Sequence, residues 1–380
     1  MWLTGIIFLL FVVYAYLILF YTRSWKQIPA QAAAGTPAVT GPSFTIIIPA
    51  RNEAENILPL LQSIKKQPYP SHLFEVIVVD DHSDDRTASL AERFAADNRD
   101  APFIKVIRLT GREMNSYKKK AIETGIAAAK HDWIVCTDAD CITPPGWLQS
   151  FAQAISETDP VFIAAPVAFN EEKGLVNLFQ DLDFLTLQGI TGASVYKNIH
   201  TMCNGANLAY RKDVFGEVNG FRGIDRIASG DDMLLMHKIW KQYPHRVVYL
   251  KSKQAIVKTA AAPTWGAFFN QRIRWASKAT SYDDKRIFAV LLLVYLFNAS
   301  FLVLLIAGFV NSIFFFVLPG FWILKTIIEY PFIKSVAQFF NKRSRLKYFF
   351  LFQPLHIGYT ILAGFLGSFG RYEWKGRRVK

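Results

Sequence analysis

The chain has 380 residues, of which 43 are Lys or Arg and 30 are Asp or Glu, so its formal net charge is +13 with histidine neutral. Hydrophobic residues make up 52% of the sequence and charged residues only 19%, whereas soluble domains carry about 25% charged residues. This balance excludes an ordinary soluble enzyme, and the aromatic content of 15% excludes a disordered chain. The three cysteines have no CxxC spacing and suit a reducing compartment.

The first apolar segment is at the N-terminus. Residues 1–22 contain no charged side chain and are long enough to cross a hydrocarbon core of roughly 30 Å as one helix. A cleaved signal peptide is the alternative, but no basic region precedes the run and no A-x-A site follows it closely. Arg23 and Lys26 come next, so the positive-inside rule predicts that the following residues lie on the cytosolic side. Residues 23–42 are predicted to be a linker.

Apolar segments return towards the C-terminus. Residues 287–324 are uncharged and would extend roughly 57 Å as a straight helix, which predicts a transmembrane hairpin over 287–330 that reverses near Gly308 and Asn311-Ser312. A third membrane segment is predicted over 349–370, where Pro354 and several glycines leave open a span, a kinked span or a re-entrant pair. A simple span there would place the basic tail, 371–380, outside the cell, against the positive-inside rule.

Basic residues crowd beside these membrane segments. Between the hairpin and the third segment, residues 331–348 interleave cations with aromatic side chains, as in a helix at the headgroup level that favours anionic lipid. The positive charge therefore indicates membrane lipid as a partner and no nucleic acid. These features together predict an integral, multi-pass membrane protein.

Residues 43–262 alternate short β-branched runs with longer amphipathic stretches. Strands are predicted over 44–48, 74–80, 104–109 and 133–137, with helices between them. This alternation predicts an α/β domain with a mostly parallel sheet and flanking helices. Ligands of such sheets bind at the carboxyl ends of the strands, and acidic residues collect at those positions here.

Paired acids follow two of the predicted strands. Asp80 and Asp81 end one strand, and two adjacent carboxylates repel each other unless a ligand, a cation or water receives them. Asp138 and Asp140 form an Asp-x-Asp motif after another strand. Carboxylate oxygens suit Mg²⁺ or Mn²⁺, and such ions commonly bridge to substrate phosphates. This motif predicts a divalent cation that neutralises a diphosphate leaving group.

Three other segments are informative. Ser83 or Asp84 is predicted to cap the helix that follows Asp81. Asp231 and Asp232 precede an apolar run that predicts a helix, where the helix dipole alone would favour acids. Residues 263–286 are predicted to form a basic and aromatic helix at the membrane interface.

In this order the motifs resemble glycosyltransferase family 2, whose catalytic domain has the nucleotide-diphosphate-sugar fold called GT-A. The resemblance covers residues 43–278. It implies that a nucleotide-sugar donor, expected to be a UDP-sugar, contacts the turns after the first strands, the basic turn, the metal motif and a QxxRW motif. These donor residues are Pro49, Arg51, Glu53, Asp80, Asp81, Lys118, Asp138, Gln271, Arg274 and Trp275.

The resemblance also implies the other roles in the site. Asp140 is the more direct metal ligand, with Asp138 the second. Asp232 falls at the position of the catalytic base, and Asp231, which replaces a common Glu, is the alternative. Tyr117 replaces a glycine that often precedes the basic turn. The acceptor side is implied to consist of Asn204, Gly205, Asn207 and Trp275.

Two functions are consistent with this sequence. The first is a membrane-bound inverting glycosyltransferase that uses a lipid or lipid-linked hydroxyl as acceptor at the cytosolic face. The second is a processive polysaccharide synthase, similar to cellulose, chitin, hyaluronan and poly-N-acetylglucosamine synthases, because QxxRW is typical of those enzymes. The small number of predicted spans favours the first, since a channel for a growing polymer needs several helices.

Overall fold

The structure is a computed structural model that describes residues 2–32, 40–98, 103–111, 117–199, 202–225, 227, 230–277, 284–369, 372–374 and 377–379. Its helices are α1 Trp2–Gln27, α2 Ile57–Lys65, α3 Thr87–Asp97, α4 Tyr117–Ala128, α5 Trp147–Thr158, α6 Leu175–Tyr196, α7 Lys212–Glu217, α8 Met233–Gln242, α9 Trp265–Ala276, α10 Lys285–Val310, α11 Ile313–Phe339 and α12 Phe349–Phe369. Its strands are β1 Phe44–Ala50, β2 Phe74–Asp80, β3 Phe103–Arg108, β4 Trp133–Cys136, β5 Phe162–Ala164, β6 Val167–Phe169, β7 Leu208–Arg211, β8 Val247–Tyr249, β9 Val257–Thr259, β10 Tyr372–Trp374 and β11 Arg377–Val379.

The chain forms two compact units. The sheet unit comprises Pro29–Asn170 and Thr201–Ala260, and the helical unit comprises Met1–Ile28, Glu171–His200 and Ala261–Lys380. The continuous domain expected over 43–262 is therefore interrupted, because the segment that contains α6 belongs to the unit of the apolar helices.

The sheet unit is built on seven strands in the order β3-β2-β1-β4-β7-β5-β8. The neighbours β3, β2, β1 and β4 are parallel, and β7 runs antiparallel between β4 and β5. This confirms the predicted α/β class, and the four predicted strands are found within two residues at each end. Every residue of β2 and β4 is buried, as expected for continuous apolar strands covered on both faces. A separate parallel pair, β6 and β9, lies outside this sheet.

Helices cover the sheet with apolar faces. In α2 the buried residues are Ile57, Leu60, Leu61 and Ile64, a spacing that places them on one side of the helix. In α5 the largest buried side chains are Trp147 and Phe151, which recur after one turn. This packing fixes the strand ends from which the site residues project.

The helical unit contains the apolar segments. Four stretches are long and apolar enough to cross a membrane, namely Trp2–Gln27, Lys285–Val310, Ile313–Phe339 and Arg343–Gly367. Asn311 and Ser312 separate α10 from α11, so the long apolar run is divided at the residues where a reversal was expected. A Cβ on Gly308 would lie 2.6 Å from the ring of Phe315, so a side chain at this position would displace that ring.

The segment 331–348 is not one separate helix. Helix α11 continues through Pro331 to Phe339, and a 3₁₀ helix, Arg343–Tyr348, precedes α12. Buried ion pairs fix this segment to α6, because Asp181 binds both Lys342 and Arg345. Composition predicted a separate segment over 331–348 because it shows the cations but not their buried partner, Asp181, in the helical unit.

Candidate active site

The turns after β1 and β2 form one side of the candidate site. These strands are neighbours in register, with Ala50 opposite Asp80. The Arg51 guanidinium Nη1 donates to the carbonyl oxygens of Asp81, at 2.9 Å, and His82, at 3.2 Å. Pro49 lies opposite Val79 within the strands. The register therefore brings the predicted donor residues of the two turns together.

Side chains of the second turn bind the first turn. The amide of Asn52 donates to Ser83 Oγ at 3.0 Å, and the amide of Asp84 donates to Asn52 Oδ1 at 2.8 Å. Neither Ser83 nor Asp84 caps α3, so that prediction is wrong; instead Asp85 Oδ1 accepts from the Thr87 amide at 2.9 Å. Ser and Asp side chains, which can cap a helix, can also bond to backbone amides of an adjacent loop. Here Ser83 accepts such a bond from the turn after β1.

Asp80 and Asp81 are buried, with 5% and 3% of their surface exposed. Asp80 Oδ2 accepts a long bond from the Ser83 amide at 3.4 Å. Its Oδ1 is buried without a hydrogen-bond partner among the described residues. Asp81 Oδ1 lies 3.0 Å from His82 Nδ1. A buried carboxylate oxygen without a donor is costly, so Asp80 is suited to receive an N–H or O–H group of a ligand.

The Asp-x-Asp motif follows β4, which pairs directly with β1. Asp138 Oδ1 lies 2.7 Å from the ammonium nitrogen of Lys118. Asp140 Oδ2 accepts from Thr259 Oγ1 at 3.1 Å. Burial, followed by the nearby carboxylates of Asp138 and Glu53, raises the pKa of Asp140 to about 6. The carboxylates of Glu53, after β1, and Asp138, after β4, therefore both raise the pKa of Asp140.

These residues fit a divalent cation. The pKa of Asp140 is raised first by burial and then by the carboxylates of Asp138 and Glu53, and a bound cation would offset both the lost hydration and the repulsion. Among the described residues no group of three or more His, Cys, Asp or Glu side chains forms a complete metal site. Mg²⁺ is usually bound by one or two carboxylates together with water and substrate phosphates, so Asp138 and Asp140 are a suitable protein contribution.

Lys118, in the first turn of α4, joins two acidic motifs. Its Nζ contacts Asp138 and also lies 3.3 Å from Asp231 Oδ2. Burial alone lowers the pKa of Lys118, but the carboxylates of Asp138 and Asp231 outweigh it and hold the pKa well above its ordinary value. Lys118 is therefore a permanent cation between these motifs.

Asp232 begins α8 and is held by backbone donors. Its Oδ1 accepts from the Met233 amide at 2.7 Å, and its Oδ2 accepts from the Gly205 amide at 2.9 Å. A Cβ on Gly205 would lie 3.2 Å from Lys118 Nζ and 3.4 Å from Asp231 Oδ2. The absence of a side chain at Gly205 is what allows its backbone to approach this cluster so closely.

The other two predicted acceptor residues of this segment have different surroundings. Asn204 Oδ1 accepts from the Ala206 amide at 3.0 Å and so forms a turn beside Gly205. Asn207 is fully buried; its Oδ1 accepts from Trp147 Nε1 at 2.9 Å, and its Nδ2 donates to the carbonyl oxygens of Pro166 and Ala255, both at 2.7 Å. These bonds give Asn207 a structural role, and its expected place on the acceptor side stays a prediction.

The QxxRW motif lies in α9 of the helical unit. Gln271, Arg274 and Trp275 are partly exposed, and Gln271 Oε1 accepts from Arg272 Nη1 at 2.7 Å. Sequence reasoning missed Arg272, which is buried, binds Asp183 at 2.6 Å and lies 4.2 Å from the ring centre of Trp275. Its position four residues after Phe268 places it on the inner face of the helix, which was the available signal.

Comparison with known proteins identifies the family. A model of glycosyl transferase family 2 matches residues 45–218, and a model of glycosyl transferase family group 2 matches residues 133–366, more than half of the chain. The chain belongs to glycosyltransferase family 2. Its sheet unit accordingly has the GT-A fold that the motifs resemble.

Two named relatives match part of this chain. Glycosyltransferase AglE of Haloferax volcanii is 30% identical over 199 residues, which are 51% of this chain and 60% of that protein. Poly-beta-1,6-N-acetyl-D-glucosamine synthase of Staphylococcus epidermidis is 24% identical over 246 residues, which are 63% of this chain and 54% of that protein. The chain thus spans between half and two thirds of the length of these relatives.

A mannosyltransferase from Pyrobaculum calidifontis, solved in complex with GDP-Man and Mn²⁺, has the same fold. It is 21% identical, with a TM-score of 0.59, and the match covers 93% of this chain and 97% of that chain.

Proposed function

We propose that this protein is an integral membrane, inverting glycosyltransferase that transfers a sugar from a UDP-sugar to a lipid or lipid-linked hydroxyl at the cytosolic face. The observation that carries the proposal is the contact of Lys118 with both Asp138 and Asp231. It joins the motif expected to hold the metal to the acid pair expected to supply the base, within a family 2 domain.

The donor is proposed to bind along the ends of β1, β2 and β4. The partnerless Oδ1 of buried Asp80 supports a nucleoside contact there, and Lys118 supplies positive charge for a diphosphate. The Pyrobaculum mannosyltransferase was solved with GDP-Man and Mn²⁺, which supports a nucleotide sugar and makes a GDP-sugar the first alternative donor. Gln271, Arg274 and Trp275 keep their predicted roles beside the donor, with Trp275 also on the acceptor side.

Asp140 and Asp138 are the residues that would hold Mg²⁺ or Mn²⁺, and the bound ion would neutralise the diphosphate leaving group. Lys118 adds a fixed cation to the same site, and it does so without reorganisation because two carboxylates already hold it in place.

Asp232 is proposed as the general base. It accepts the proton of the acceptor hydroxyl while that oxygen forms a bond to the anomeric carbon. The bond from the anomeric carbon to the diphosphate oxygen breaks at the same time, and its electron pair leaves with the nucleoside diphosphate. One displacement on the opposite face inverts the anomeric configuration, as family membership implies.

The choice between the two adjacent acids follows from their contacts. Asp231 forms an ion pair with Lys118, so its carboxylate is already engaged with a cation. Asp232 accepts hydrogen bonds from the amides of Gly205 and Met233, and Lys118 acts on it only as a weaker electrostatic neighbour than on Asp231. Asp231 is therefore proposed to position Lys118, and Asp232 to accept the proton.

The membrane acceptor is supported by the helical unit. Its apolar stretches are long enough to span, and Arg23 and Lys26 follow the apolar part of α1, which supports a cytosolic end by the positive-inside rule. A lipid acceptor would be delivered where such helices lie. The similarity to the Staphylococcus polymer synthase keeps processive synthesis as the second candidate function.

The proposal is tested by turnover of the purified full chain in lipid nanodiscs with Mn²⁺, radiolabelled UDP-sugars and GDP-Man, and a membrane lipid extract. We expect label in one discrete organic-soluble product. Label in a ladder or high-mass polymer would support the second function instead, and transfer only from GDP-Man would reject the proposed donor.

Matched variants connect this product to the site. Asp232→Asn is expected to reduce the transfer rate by about 10² to 10⁴-fold, and Glu157→Gln, an exposed acid on α5 of the same unit, is expected to leave it unchanged. Unimpaired transfer by Asp232→Asn would contradict the assigned base.

A further inference from the structure

We infer that α12 lies along one face of the membrane, across the α10–α11 hairpin, and does not cross the bilayer. This inference rests on the proposed membrane insertion of the helical unit. The sequence leaves a span and a re-entrant path open for this segment, and composition alone would count it as a fourth span. The contacts of α12 within the helical unit distinguish these paths.

The first residues of α12 contact the middle of α11. The ring of Phe350 stacks on Trp322 with a centroid distance of 4.5 Å, and the ring of Phe349 lies 6.2 Å from that of Tyr330. Trp322 and Tyr330 are 10 and 18 residues beyond Ser312, at the reversal of the hairpin. The start of α12 is thus far from both ends of α11.

A late residue of α12 contacts α10 at the same level. A Cβ on Gly364 would lie 2.6 Å from the ring of Tyr295, which is 16 residues before Asn311 at the reversal. Between Phe350 and Gly364 a helix advances roughly 21 Å. Because α12 meets both arms of the hairpin at similar distances from the reversal, that advance runs across the hairpin and not along it.

The second half of α12 runs beside α9. Tyr359 lies 5.4 Å from Phe268 between ring centres, and a Cβ on Gly367 would lie 2.6 Å from the Cβ of Ala276. From the first contact to the second, both α9 and α12 advance by eight residues in the same direction. The two helices therefore run parallel and side by side. Helix α9 has only 12 residues and is too short to cross a membrane, which needs about 20.

Charged groups lie at the level of α12. The Tyr359 hydroxyl donates to Asp183, which also binds Arg272. At the other end of α12, Gln353 Oε1 accepts from Lys325 Nζ at 2.7 Å, and Lys325 forms an ion pair with Glu329 at 2.7 Å. Ion pairs of this kind are costly in hydrocarbon, which supports a position of α12 at the boundary of the membrane.

One face of α12 is apolar and exposed. Leu351, Leu362 and Phe365 are 68%, 45% and 56% exposed, and their spacing of 11 and 3 residues places them on the same side of the helix. We assign lipid acyl chains as the occupant of this face because α12 packs against α10 and α11, which also expose large apolar side chains. The chain then leaves α12 beside α9, so the basic tail does not conflict with the positive-inside rule.

Spin labels in nanodiscs test the direction of α12. The pair 351 and 365 on α12 is matched by the pair 291 and 305 on α10, which has the same separation of 14 residues and is also exposed. Single cysteines are introduced in a Cys203→Ser background, since Cys136 and Cys141 are buried. Depth is measured by collision with oxygen and with a water-soluble nickel complex.

We expect the α10 labels to differ in depth by up to about 21 Å and the α12 labels to have similar depths. A depth difference on α12 as large as that on α10 would overturn the inference.

The side of the tail is tested with a membrane-impermeant maleimide on sealed vesicles of known orientation. A cysteine appended after Lys380 is compared with Ser312→Cys at the reversal and with Glu157→Cys, which is exposed in the sheet unit. We expect the appended cysteine to be labelled from the side of residue 157.

If the appended cysteine is labelled from the same side as residue 312, this inference is overturned and the proposed membrane insertion stays intact. Labelling of residues 312 and 157 from one side would show that the hairpin does not cross. That result would reject the proposed insertion and this inference together.

Discussion

Replacement of Asp140 by Asn should stabilise the metal-free protein and abolish its binding of a divalent cation. The pKa of Asp140 is about 6 because of burial and the carboxylates of Asp138 and Glu53, against about 3.9 for an ordinary Asp. A difference of this size corresponds to roughly 3 kcal/mol of lost stability at neutral pH. Because Asp140 is partly exposed, solvent screening reduces our expectation to about 1 to 2 kcal/mol. Asn retains an oxygen that can accept from Thr259.

The pH dependence of this effect has a definite sign. A carboxyl whose pKa is higher in the folded state binds its proton more tightly there, so the folded state loses stability as the pH rises from about 4 to 6. The gain in Asp140→Asn should therefore be complete above pH 7 and nearly absent at pH 4.

Thermal unfolding of the full chain in detergent with EDTA, at pH 7.5 and pH 4, measures this effect. A gain of 1 to 2 kcal/mol corresponds to a rise in Tm of roughly 2 to 8 °C for a domain of this size. The control is Glu157→Gln, an exposed acid on α5 of the same unit, which should leave Tm unchanged. Added Mn²⁺ should raise the Tm of the wild type but not of Asp140→Asn, because ligand binding to the folded state stabilises it. A lower Tm for the variant at pH 7.5 without metal, or an equal gain at both pH values, would refute the reasoning.

Three further variants test the proposed roles. Asp232→Asn should reduce the transfer rate by about 10² to 10⁴-fold while donor affinity, measured by calorimetry, stays within about twofold, because only the proton transfer is lost; a matching loss of donor affinity would contradict the role of a base. Lys118→Met should weaken donor binding by about tenfold or more in equilibrium dialysis. The control is Lys120→Met on the exposed side of α4, which should leave donor binding unchanged. Equal losses in the two variants would indicate a general effect of positive charge. Asp183→Leu should lower stability by about 3 to 5 kcal/mol because it leaves the buried Arg272 without its carboxylate, and recovery of Tm in the double variant with Arg272→Met is the check.

The sequence predicts the parallel half of the sheet because its signals are local. Strands β1, β2 and β4 are apolar runs that end in acids or in a turn, and such runs can be identified without knowledge of their neighbours. The pairing of β6 with β9 joins segments about 90 residues apart, and no local pattern encodes it. That pairing places Thr259 at the end of β9, where it donates to Asp140. The residue that orients this proposed metal ligand was therefore not predictable.

The candidate site was predicted as a set of motifs but not as a set of contacts. The ion pair of Lys118 with Asp231 spans 113 residues, and it depends on how α4 and the start of α8 meet in the folded sheet unit. Asn207 shows the converse problem, because its motif suggests a ligand contact while its amide is fully used by buried partners. Residue identity indicated the chemistry in both segments, and burial and partners, which the sequence does not contain, add the structural role of Asn207.

The direction of α12 affects the choice between the two candidate functions. Hydropathy measures the transfer of a segment into lipid and contains no information on its direction, which neighbouring helices determine. If α12 lies across the hairpin, the described residues supply three crossing helices, α1, α10 and α11, and not four. Three helices that pack directly on one another have little room between them for a polar polymer chain, as the mutual contacts of Phe11 with Phe297 and Phe321 illustrate. A single transfer to a lipid hydroxyl requires no such passage, since acceptor and product both stay in the leaflet beside α9 and α12. The inferred direction of α12 would therefore favour the proposed lipid acceptor, and the spin-label measurement on α12 tests the function as well as the topology.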